Sequence, residues 1–89
     1  MKHAGPETFA RIAGLLAELR KRDRLREPRP GTFYIKSKAF LHFHDDPAGV
    51  FADVKLDLIE FTRLAVTTPA QQRVLLERID RCLGALPGR

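Results

Sequence analysis

Apolar residues Phe9, Ile12, Ala13, Leu16 and Leu19 recur at three- and four-residue steps, with Arg11, Glu18 and Arg20 largely off that stripe. This spacing predicts one amphipathic helix over residues 6–23. Pro6 suits its first turn, where the missing N–H costs nothing. Glu27-Pro28-Arg29-Pro30-Gly31 must follow its end, since two prolines and a glycine do not continue a helix. From Phe33 the period falls to two. Phe33, Ile35, Ala39, Leu41 and Phe43 share one strand face; Tyr34, Lys36, Lys38, Phe40, His42 and His44 share the other. Ser37 lies on the apolar face, so a bulge near it would shift the phase.

Asp45-Asp46-Pro47-Ala48-Gly49 is turn chemistry. Val50, Ala52, Val54 and Leu56 then alternate with Phe51, Asp53 and Lys55 to complete a hairpin. Matching the apolar faces sets Phe43 opposite Ala52, Leu41 opposite Val54 and His42 opposite Asp53. The neighbouring register would oppose Lys38 and Lys55, a like-charge pair. Phe61–Val66 reads as a third strand; the alternative is a short helix within residues 57–66, with Asp57 and Glu60 as an N-terminal cap pair. Thr68, Pro69 and Gln71 supply an N-cap, a first-turn proline and a capping-box partner for a last helix. That helix buries Leu75, Leu76, Ile79, Cys82 and Leu83, and Gly84 with Pro87-Gly88 stops it. The predicted fold is a two-layer α+β domain of order α-β-β-β-α, a three-stranded antiparallel sheet with both helices on one face. Residues 1–5 read as a disordered leader, 6–86 as the single domain and 87–89 as a frayed end. The predicted core is Phe9, Ile12, Leu16, Ile35, Leu41, Phe43, Val54, Leu75 and Ile79.

Eighty-nine residues make one small domain, which excludes a two-domain enzyme with an interdomain cleft. At 44% hydrophobic and 30% charged residues the chain is too apolar for full disorder. No apolar run approaches the roughly 20 residues of a membrane span, and Met1–Pro6 lacks the apolar core of a secretory signal. The chain therefore reads as cytoplasmic, with no membrane partner. The lone Cys82 makes no internal disulfide and reads as a buried small hydrophobe. The net charge of +5 is local: Arg20, Lys21, Arg22, Arg24, Arg26 and Arg29 face only Asp23 and Glu27 within residues 20–29.

The order α-β-β-β-α is similar in topology to the double-stranded RNA-binding domain. That resemblance implies phosphate contacts from a lysine-rich start of the last helix. The corresponding stretch here, Thr67 to Arg73, carries one basic residue. The segment KSKAFLHFHDDPAGVFADVKL, residues 36–56, resembles small uncharacterised bacterial conserved proteins, which implies no assigned activity.

Two clusters carry candidate chemistry. His42 and His44 project to one strand face beside Asp45 and Asp46, and with Asp53 they are the candidate metal ligands. The chain supplies no nucleophile motif and no Gly-rich phosphate loop, so a binding module is expected ahead of an enzyme, and no cofactor is expected. The second cluster is the outer sheet face, where Tyr34, Phe40 and Phe51 stand among Lys36, Lys38, His42, His44, Asp53 and Lys55, with Arg63 nearby. Exposed rings on a small domain mark protein interfaces, so a protein partner or homo-oligomer comes first. Aromatics among cations also stack bases, so RNA binding through this face and the basic run is the alternative. A metal-binding protein or enzyme built on His42, His44 and Asp53 is the third reading.

Overall fold

The computed structural model describes residues 2–86 as α1 (Pro6–Arg11), α2 (Ala13–Arg20), α3 (Pro69–Gly84) and six strands. The strands are β1 (Lys2–His3), β2 (Leu25–Arg29), β3 (Thr32–Ile35), β4 (Lys38–Asp46), β5 (Gly49–Val54) and β6 (Thr62–Ala65). They form one antiparallel sheet in the order β2-β3-β4-β5-β6, with β1 pairing to β4. The α+β reading stands, but the three-stranded sheet does not: two further pairing segments flank the hairpin, and one predicted strand is two. The expected leader contributes β1, and Ala4 N–H donates to the Phe43 carbonyl at 3.2 Å. The frayed end expected at 87–89 lies outside the described residues.

The first helix breaks at Ile12, where φ −112° and ψ 24° leave the α region. Its apolar stripe survives the break, because Ile12, Leu15, Leu16 and Leu19 are all buried. The break aims Phe9 at Gly31 in the β2–β3 turn, where φ is +76° and the Phe9 ring occupies the space a Cβ would need. Phe9 and Ile35, predicted in the core, are partly buried against it.

Residues 27–31, read as a helix terminator, begin inside an edge strand instead, β2 over Leu25–Arg29. Pro28 excludes a helix but not an edge, where a missing N–H breaks no ladder bond. Leu25 pairs with Ile35 and Arg26 with Tyr34 before a bulge leads to Arg29 opposite Thr32.

The long first strand of the predicted hairpin is two strands joined through Lys36-Ser37, with Lys36 at φ +55°. Beyond this turn the register slips: Tyr34 faces Ala39, yet Phe33 faces Leu41. Phe40 is the extra residue of a β-bulge, and it turns inward beside Leu41. Both are buried, at 1% and 0% exposure. This corrects the outer-face assignment of Phe40. The β4–β5 hairpin keeps the predicted register, with Leu41 opposite Val54, His42 opposite Asp53 and Phe43 opposite Ala52.

The third strand is β6, not a short helix. Thr68 Oγ1 accepts the Gln71 N–H at 3.2 Å and Gln71 Oε1 accepts the Thr68 N–H at 3.1 Å, the expected capping box. Leu75 and Ile79 from α3 meet the α2 stripe and the inner residues of β4 and β5 in one core. Cys82 packs at its edge, and burial pushes its thiol pKa up. No helix among the described residues is long and apolar enough to cross a membrane.

Candidate functional site

Because the core draws the helices to one side, the opposite parity of β4, β5 and β6 forms an outer face. Cross-strand register places His42, Asp53 and Arg63 in one row, and His44, Phe51 and Ala65 in the next. Phe61 follows from the same alternation at the entry to β6.

The centre of the face is Asp53, buried although it lies on the uncovered side. Arg63 donates from Nε and Nη2 to its two carboxylate oxygens at 2.7 and 2.8 Å. This bidentate fork holds the Asp53 carboxyl below its ordinary value, against the opposing effect of burial, with the charges of Arg63, His44 and His42 adding to it. The same pair raises the Arg63 pKa. His44 Nε2 lies 2.9 Å from Asp53 Oδ2, a close electrostatic contact outside in-line hydrogen-bond geometry. His42 sits edge-on to His44 and to Phe61, both at 4.8 Å between ring centroids. Lys55 Nζ stands 4.9 Å above the Phe61 ring.

One ligand atom each from His42, His44 and Asp53 lies within 4.8 Å of the others, so these three residues could hold a divalent cation. Arg63 competes for that role, since it already engages both Asp53 oxygens and carries the same sign of charge as a metal. As it stands, the cluster is a charge-compensated polar centre ringed by aromatics.

The sequence-predicted surface divides into two. Tyr34, His42, His44, Phe51, Asp53 and Lys55 lie on the outer face, with Tyr34 and Phe51 half-buried. Lys36, in the β3–β4 turn, and Lys38, at the start of β4, line a cleft at the end of the sheet instead. Phe40 is core. The basic run is also divided. Arg20 forms a bidentate pair with Glu27 at 2.7 and 2.9 Å. Lys21 binds Glu18 at 2.8 Å, and Arg22 binds Asp80 through two 2.9 Å bonds that tie the end of α2 to α3. Arg20, Lys21 and Arg22 are thus already engaged in ion pairs within the chain. Arg26 and Arg29 lie exposed on β2, with Arg24 just before it.

Sequence reasoning missed Phe61, although its alternation with Thr62 and Leu64 was visible once β6 was accepted as a strand. Leu58 and Ile59, 45% and 74% exposed, lie in the loop before it. No family model, curated protein or solved structure matches the chain.

Proposed function

We propose that the protein is a small cytoplasmic, non-enzymatic binding module that uses its outer sheet face and the adjoining β6 edge to bind a second copy of itself. The observation that carries this reading is the junction of an open edge with an exposed apolar flank. The Val66 N–H to Val50 carbonyl bond fixes the alternation along β6, so the backbone groups of Arg63 and Ala65 point away from β5. Among the described residues no strand pairs with that side. Ile59 and Phe61 stand beside it, exposed. An edge of this kind accepts another strand. A second β6, antiparallel to the first, supplies the complementary backbone groups and a matching apolar flank under two-fold symmetry. The opposite edge, β2, carries Pro28 and three charged side chains, which suit it to water.

Nucleic acid ranks second, because the cations on this face are engaged already: Arg63 with Asp53, and Lys55 over Phe61. Sedimentation velocity across a concentration series tests the proposal. The parent chain should sediment as a dimer that dissociates on dilution, and Ile59→Ser/Phe61→Ser should be a folded monomer. A parent monomeric at every concentration, or a double variant that associates unchanged, contradicts it. Salt-sensitive capture of mixed RNA by that monomer would favour the nucleic-acid reading in its place.

A further inference from the structure

A cleft of about 670 Å³ opens between the β3–β4 turn, the loop after β5 and the end of α3. Its apolar wall is Ile35, Phe40, Leu58 and Leu86. Three departures from regular backbone build it. The bulge in β4 delivers Phe40, which strict alternation would send to the other face. Lys36 and Leu58, at φ +55° and +65°, are the two non-glycine residues with positive φ among the described residues, and both line this cleft. The loop that presents Leu58 is fastened on both sides. Its own N–H donates to the Lys55 carbonyl at 2.9 Å, and Asp57 Oδ1 accepts the N–H groups of Ile59 and Glu60 at 2.9 Å each. Backbone in sparsely populated regions gathers at ligand clamps, and bulges gather beside binding sites.

The rim is predominantly basic. Arg24, Arg26, Lys36 and Lys38 line the cleft against a single carboxylate, Asp23; Lys55 also lines it, with its Nζ turned over the Phe61 ring. Cations crowded around an apolar wall are stabilised by an anion that brings its own apolar body. No exposed ring in the wall offers a platform for stacking a base, since Phe40 is 1% exposed. We propose that the cleft binds one molecule of a small anionic amphiphile, its chain against Ile35, Phe40, Leu58 and Leu86 and its carboxylate or phosphate head at Lys36 and Lys38. Lys36, Lys38 and Leu86 take no part in the β6 edge, so this site stands or falls separately from self-association.

The test is a titration with decanoate below its micellar concentration, followed by NMR of backbone amides and methyl groups. Saturable shifts should centre on Ile35, Leu58 and Leu86, and neither decyltrimethylammonium nor inorganic phosphate should reproduce them. Lys36→Glu/Lys38→Glu should weaken decanoate by about tenfold or more. Leu58→Asn, which suits a left-handed residue, should keep the fold and also weaken binding. The proposal is overturned if decanoate gives no saturable shift, or if the cationic amphiphile binds as tightly. It is equally overturned if phosphate alone binds as tightly, if the charge reversals leave affinity unchanged, or if the shifts centre on His42 and Phe51.

Discussion

Arg63 reaches across from β6 to engage both carboxylate oxygens of Asp53 on β5, and so converts a buried acid on the outer sheet face into a compensated ion pair. The pair has a consequence for acid stability. The Asp53 carboxyl titrates lower in the fold than its ordinary value of about 3.9 in an unfolded chain. Its contribution is therefore full above the unfolded value and is lost as pH falls through the folded one. Arg63→Ala should lower stability at neutral pH and flatten its dependence on acid in this window. Urea midpoints measured from pH 6 downward check it; a variant whose stability falls with acid as steeply as the parent's would show that the pair does not control the titration.

Phe40 and Phe51 should respond unequally to truncation. Phe40 is fully buried by the bulge, so Phe40→Ala should cost about 3–5 kcal/mol. Phe51→Ala, on the half-buried outer face, should cost clearly less. Equal losses in chemical denaturation would mean that the bulge does not direct Phe40 inward.

The contrast between these two residues also shows where the sequence stops being informative. The β4–β5 register was legible because apolar matching and the like-charge penalty at Lys38 and Lys55 converge on one alignment. The α3 start was legible because Thr68, Pro69 and Gln71 each act locally. The bulge was not, since an extra residue reverses strand parity without changing composition, and Phe40 reads as an outer-face residue until the pairing partner is known. Nor was β2, because Pro28 and Pro30 report only what the backbone does not do. The His42–Asp53 row of the candidate site was readable, but the closure of Asp53 by Arg63 depended on the β5–β6 register, which no sequence pattern specified.

Gly31 and Phe9 should prove coupled. Gly31→Ala forces an L-residue into a left-handed turn, at about 1–2 kcal/mol, and drives its Cβ into the Phe9 ring. In the Phe9→Ala background the steric part should vanish while the backbone part remains, giving a favourable coupling in a double-mutant cycle. Strict additivity would mean that the ring does not occupy that space.

Zinc provides a further check on the outer face. With Arg63 in place, His42, His44 and Asp53 should bind zinc weakly, because the guanidinium occupies both Asp53 oxygens. Arg63→Ala should bind it more tightly in calorimetric titration. Tight binding by the parent, unchanged in the variant, would mean that Arg63 does not close the site.

Self-association along β6 is tested most directly by the amides of Arg63 and Ala65, which point away from β5. Hydrogen exchange resolved at single residues should show these two amides becoming protected as protein concentration rises. The amides of Thr62 and Leu64, turned toward β5, should be protected throughout. Fast exchange of Arg63 and Ala65 at every concentration would contradict the central claim.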